Sequence, residues 1–190
     1  METNRVGLEQ TKFDLPNPLC VQLNFENQAR KTPHALALKH DSSHLSFMNL
    51  NVKANQLSSY PSFVLNVAVG DTIGILFERS VDWLVSMIAI LKTGARHVPI
   101  DPAYPLARIQ HMLSDSDEKV LLTHTAALEK QQLLKSLREE LKGSELVVVD
   151  SPGTTEWILQ QLKLNPKNAV DGNNFAYNVY TSVRPVNRRE

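Results

Sequence analysis

The chain has 190 residues, 42% apolar and 21% charged, which suits one soluble globular domain or a piece of a larger one. Lysine plus arginine equal aspartate plus glutamate at 20 each, so no global field favours nucleic acid or an anionic membrane. The single cysteine, Cys20, excludes an internal disulfide framework, and no apolar run approaches the ~18 residues of a membrane span. With no basic-then-apolar leader at the N-terminus, a cytoplasmic protein is expected.

Residues 1–16 are polar and without period, and read as a leader. Asn17-Pro18 looks like a helix start that Thr32-Pro33 closes. Ala35 to Lys39 and His44 to Phe47 flank the polar turn Asp41-Ser42-Ser43, the pattern of a hairpin. Phe47, Leu50, Ala54 and Leu57 then recur at helical spacing until Pro61, which is expected to break the helix.

From Gly70 the pattern is regular. Thr72 to Phe77 reads as a buried strand, and Ser80 can cap a helix that carries Val81, Trp83, Leu84, Met87, Ile88 and Leu91. That helix is apolar nearly all round, so it is expected to lie between a sheet and other elements. Gly94 fits a left-handed helix stop, and Lys92 suits the negative pole of the helix. Arg96 to Asp101 is the next strand, followed by a helix from Pro105 to Leu113 and a strand from Lys119 to Thr123. Thr125 to Lys142 reads as a charged amphipathic helix ended by Gly143, Glu145 to Asp150 as a strand, and Thr154 to Leu164 as a last helix. After a polar loop, Phe175 to Tyr180 reads as a final strand. This alternation indicates an α/β fold with a mainly parallel sheet and right-handed crossover helices.

Open parallel sheets bind ligands beyond the carboxyl ends of their strands. Four positions qualify: Glu78-Arg79, Asp101, Thr123-His124 and Thr181-Ser182. For the first three, a helix cap, a turn former or a surface charge is the expected role. His40 and His44 are four apart only across a predicted turn, so no metal site is expected. No Gly-x-Ser-x-Gly elbow supports a nucleophile, and none of the seven glycines forms the Gly-x-Gly pair of a dinucleotide loop.

Four stretches together carry a resemblance. Phe25-Glu-Asn-Gln-Ala-Arg-Lys-Thr-Pro33, Leu45-Ser-Phe-Met-Asn-Leu50 with Ala54-Asn55, and Gly70-Asp71 leading to Arg79-Ser80 are three of them. The fourth is Leu91-Lys-Thr-Gly-Ala-Arg-His-Val-Pro-Ile-Asp101, continued by Tyr104-Pro105, Arg108, Asp115-Ser116 and Val120 to Thr123. In these the chain resembles the N-terminal part of adenylation domains of nonribosomal peptide synthetases, members of the adenylate-forming, AMP-binding superfamily.

The resemblance implies an incomplete N-terminal subdomain, with ATP and Mg2+ as the family's cofactors. Phe175-Ala-Tyr-Asn-Val-Tyr-Thr-Ser182 matches the run into the family's phosphate loop, and Thr181 and Ser182 are the residues implied to remain of the ATP site. The family pattern would continue Gly-Ser-Thr-Gly-x-Pro-Lys-Gly, whereas this chain reads Val183-Arg-Pro-Val-Asn-Arg-Arg-Glu190. A changed reading frame or splice junction is one explanation for so abrupt a loss.

The expected organisation is therefore a leader at 1–16, a partial AMP-binding domain at 17–182 and a divergent tail at 183–190. The expected function is a fragment of an amino-acid-activating domain, inactive alone, with no catalytic residues of its own. Two alternatives stay open: an interaction module that engages a full-length relative or a carrier-protein module, and a fragment of an acyl- or aryl-CoA ligase. No nucleic-acid partner is expected, because Arg184, Arg188 and Arg189 read as a solvated tail.

Overall fold

The structure is a computed structural model, and it describes residues 20–130, 141, 143–167, 170 and 174–181. The leader 1–16, the helix start at Asn17-Pro18 and the tail 183–190 lie outside the described residues.

The first part of the chain is a helix, a hairpin and a helix: α1 (Val21–Lys31), β1 (Leu36–His40), β2 (Ser43–Ser46) and α2 (Phe47–Ser59). The strands β1 and β2 pair antiparallel, with Asp41 left-handed in the turn at φ 51°. Ser46 closes the hairpin and caps α2, its hydroxyl accepting from the Asn49 N–H at 3.2 Å. Pro61 does not break α2 outright. The chain runs on through a π-helical turn, Tyr60–Val64, because a proline near the start of such a turn lacks only an N–H that needs no partner there.

The remainder is strand and helix in alternation: β3 (Thr72–Leu76), α3 (Val81–Thr93), β4 (Arg96–Ile100), α4 (Leu106–Ser116), β5 (Val120–Thr123), α5 (Thr125–Lys130), β6 (Glu145–Val148) and α6 (Pro152–Leu159). The strands form one sheet in the order β4-β3-β5-β6, every pair parallel. This is the α/β fold with a parallel sheet and crossover helices that the alternation predicts.

Side chains of a strand alternate between faces, and the two faces here carry separate cores. On one, Leu76, Val98, Ile100 and Leu121 meet Ile109, Met112 and Leu113 of α4 and Leu128 of α5. On the other, Ile73, Ile75, Val120, Leu122 and Val147 meet Ile90 of α3. A third cluster joins Val85, Ile88 and Ala89 of α3 to Leu50, Ala54 and Leu57 of α2. So α3 is buried between the sheet and α2, which is why its sequence is apolar nearly all round. The Ser80 hydroxyl accepts from the Trp83 N–H at 3.1 Å to start it, and Gly94 at φ 82° ends it.

Three expectations need correction or restriction. The helix expected over 125–142 is described only as α5, since 131–140 and 142 lie outside the described residues. The last helix ends at Leu159 rather than Leu164. Its expected final turn is pulled onto α2 instead: Gln56 donates to the Leu159 carbonyl at 3.0 Å and Asn55 to the Lys163 carbonyl at 2.8 Å. The strand expected over Phe175 to Tyr180 is a single parallel bridge, Tyr177 against His97. It lies on the open edge of β4, held by His97 N–H to the Ala176 carbonyl at 3.1 Å and Asn178 N–H to the His97 carbonyl at 3.0 Å.

Candidate functional site

In the order β4-β3-β5-β6 the chain leaves β3 to one side and later returns to the other, so the strand order reverses at β3. In such sheets the crevice beyond the carboxyl ends at the reversal is where ligands sit. A cavity of about 520 Å³ opens there, floored by Phe77, Ile100 and Met112 and walled by Trp83 and Tyr104. Glu78, Arg79 and Asp101 all line it, and so do Val179 and Tyr180. Thus the fold brings two of the sequence-predicted positions together.

The third predicted pair is structural. Thr123 is fully buried and its hydroxyl donates to the Leu76 carbonyl at 2.8 Å, tying β5 to β3. His124 lies edge-on to Phe77, ring centres 4.6 Å apart, and does not line the cavity.

Asp101 also shapes the backbone around it. Its carboxylate accepts from the Ala103 N–H at 2.8 Å, and its carbonyl from the Tyr104 N–H at 3.0 Å. That turn after β4 presents Tyr104 to the cavity, with the Arg108 guanidinium stacked 4.1 Å from its ring centre.

Thr181 is reached through the bridge at Tyr177. The segment bridges β4 in parallel at Tyr177, and past that bridge Val179 and Tyr180 line the cavity, followed by exposed Thr181. Ser182 lies outside the described residues. The Tyr180 hydroxyl donates to the Asp115 carboxylate at 2.7 Å, anchoring the segment to α4. Burial, then that bond and the nearby negative charge of Asp115 and Glu118, push the Tyr180 phenol up to about 12. At the other end His97 is buried, which holds its imidazole below the usual range and therefore neutral at pH 7, against the opposing pull of the Ala176 carbonyl.

Tyr180, Tyr104 and Trp83 are not among the four candidate positions that the sequence offers. The signal was available for Tyr180, an aromatic with a polar tip at the carboxyl end of a predicted strand. Among the described residues no group of three or more His, Cys, Asp or Glu side chains could hold a metal ion. His40 and His44 sit across the β1-β2 turn, where the His40 ring is 3.5 Å from Asp41 and the His44 ring bonds the Ser42 carbonyl at 3.0 Å.

The fold is that of an open parallel α/β domain with a cavity beyond the carboxyl ends of its strands, at the strand reversal. A match to the family described as AMP-binding enzyme covers residues 25–182. A linear gramicidin synthase of Brevibacillus parabrevis is 36% identical over 173 residues, 91% of this chain but 2% of that protein. A Mycobacterium tuberculosis fatty acyl CoA synthetase superposes with TM-score 0.76 at 20% identity, over 86% of this chain and 33% of that one. A nonribosomal peptide synthetase, FmoA3, with bound AMPPNP superposes with TM-score 0.74 at 22% identity, over 92% of this chain and 18% of that one. The chain belongs to the AMP-binding, adenylate-forming enzyme family. The likeness to nonribosomal peptide synthetase adenylation domains read from its motifs is upheld over most of its length.

Proposed function

We propose that this chain is part of an ATP-dependent amino-acid-activating domain of nonribosomal peptide synthesis, comprising residues 17–182, with 1–16 a leader and 183–190 a divergent tail. It supplies the sheet and the run into the phosphate loop. The observation that carries this reading is the segment from Phe175 to Thr181, bridged to His97 and anchored at Asp115, which ends beside the carboxyl-end cavity.

The 190-residue polypeptide does not form an adenylate by itself. Transfer at the α-phosphate of ATP needs donors fixed around developing negative charge. Thr181 and Ser182 offer two hydroxyls, and the sequence after them lacks the glycine backbone and lysine that the family pattern would supply. A cytoplasmic location, and a full-length relative or carrier-protein module as partner, belong to the same reading.

A chimera tests it. Residues 20–181 replace the matching segment of an adenylation domain from a gramicidin synthase, and amino-acid-dependent ATP–pyrophosphate exchange is measured. Exchange with the host's amino acid supports the reading; a folded chimera that exchanges only with fatty or aryl acids favours the CoA-ligase alternative.

One observation favours the interaction-module reading: Phe175, Tyr177 and Val179, in the segment along the sheet edge, are 74%, 60% and 57% exposed. Size-exclusion chromatography separates the two, since a concentration-independent monomer removes the support for a sticky edge.

A further inference from the structure

Away from the carboxyl-end cavity, a second crevice of about 250 Å³ lies where α2, α3 and α6 converge beside the end of β6. Each helix gives it residues at positions i, i+3 and i+4, one face of a helical turn: Lys53, Gln56 and Leu57 from α2; Asp82, Val85 and Ser86 from α3; Thr155, Ile158 and Leu159 from α6. In all three the first residue is polar and exposed, so the crevice has a polar rim. Below it, Leu57, Val85, Ile158 and Val149 make apolar walls.

Ser86 is the exception in that lining. It is fully buried, and its hydroxyl has no hydrogen-bond partner among the described residues. Its polar neighbours are committed: Gln56 donates to the Leu159 carbonyl at 3.0 Å, and the Thr155 hydroxyl to the Val149 carbonyl at 3.1 Å. Buried polar groups are normally paired, so an unpaired hydroxyl in a crevice wall points to a missing partner. The rim holds two carboxylates, Asp82 and Asp150, against one ammonium, Lys53, and no ion pair joins them among the described residues. Its net charge is negative.

We propose that this crevice binds a small amphipathic amine: a flat or branched apolar body with a protonated amine at one end and a hydroxyl at the other. The amine sits at the rim by Asp82 and Asp150, the body lies against the apolar walls, and the hydroxyl pairs with Ser86. Asp82 and Ser86 are one helical turn apart on α3, so a ligand of this kind spans both along the helix axis.

Three probes of one shape test this on the full chain by amide chemical shifts: tyramine, phenethylamine and 3-(4-hydroxyphenyl)propionate. Tyramine is expected to bind saturably at millimolar concentration, with shifts centred on residues 53–57, 82–86 and 155–159. Phenethylamine, lacking the hydroxyl, should bind about two- to tenfold more weakly, the worth of one hydrogen bond. The propionate, with the opposite charge, should bind more weakly than tyramine. Ser86→Ala should abolish the difference between the two amines. Leu159→Trp, at a position 65% exposed where the fold tolerates change, should block all three by filling the crevice. No saturable shift from any probe, a propionate that binds as tightly as tyramine, or an unchanged ratio of the two amines in Ser86→Ala overturns the proposal. None of these readouts depends on adenylation activity.

Discussion

The ammonium of Lys92, on α3 and wholly buried, is paired with the carboxylate of Glu26 on α1. The ammonium also donates to Asn165 Oδ1 at 3.3 Å, so one cation joins α1, α3 and the chain after α6. Burial holds the Lys92 amine below its usual range, opposed by the hydrogen bond and charge of Glu26. Removing one partner of such a pair strands a charge in the interior, whereas replacing both with apolar or neutral groups does not. Glu26→Gln is therefore expected to cost about 3–5 kcal/mol. The double variant Glu26→Gln/Lys92→Met should recover most of that loss. Urea denaturation of both measures it; equal losses would mean that the pair is not what holds α1 in place.

The Tyr180 phenol, raised to about 12, gives a pH signature for the segment that leads to Thr181. A detached Tyr180 ionises near 10, so the docked state binds the extra proton between 10 and 12. Docking is then at full strength below pH 10 and is lost as pH rises through about 12. Ultraviolet titration should find one of the four tyrosines ionising near 12, and Tyr180→Phe should remove that step.

Gly94 is required for two reasons that act together. Its φ is 82°, and an added Cβ would stand 2.8 Å from a Val69 methyl and 3.0 Å from a Val170 methyl. Left-handed backbone costs an ordinary residue about 1–2 kcal/mol, and overpacking adds about 1–3. Gly94→Ala should destabilise by about 2–4 kcal/mol. Gly153 is the control: it lies within α6 with nothing within 4 Å of a new Cβ, so Gly153→Ala should stabilise by about 0.5–1 kcal/mol. Thermal or urea unfolding of the two variants compares them directly.

What was legible in the sequence was local or periodic. The alternation of strand and helix, the Ser80 cap, the left-handed stop at Gly94 and the two-sided burial of α3 each depend on neighbours a few residues away. What was not legible depends on distant chain. Lys92 reads as a charge suited to a helix end, and only the crossing of α1 buries it against Glu26. Asn55 belongs to a motif that marks the family, yet its role here is to hold the chain past α6, more than a hundred residues on. The segment from Phe175 to Tyr180 has strand composition but forms one bridge, to His97 of β4, some eighty residues back in the chain. Among the candidate positions, Glu78, Arg79 and Asp101 line the cavity beyond the carboxyl ends, where the strand pattern puts them. Thr123 and His124 obeyed the same pattern and turned out to be tied into the sheet and its flank.

We propose that these 190 residues carry the sheet of an adenylate-forming domain without the groups that perform its chemistry. ATP–pyrophosphate exchange by the purified 190-residue chain, with Mg2+ and a mixture of amino acids, tests it most directly. Label transfer is expected to be no greater than in a no-enzyme control. Amino-acid-dependent exchange above that control would contradict it.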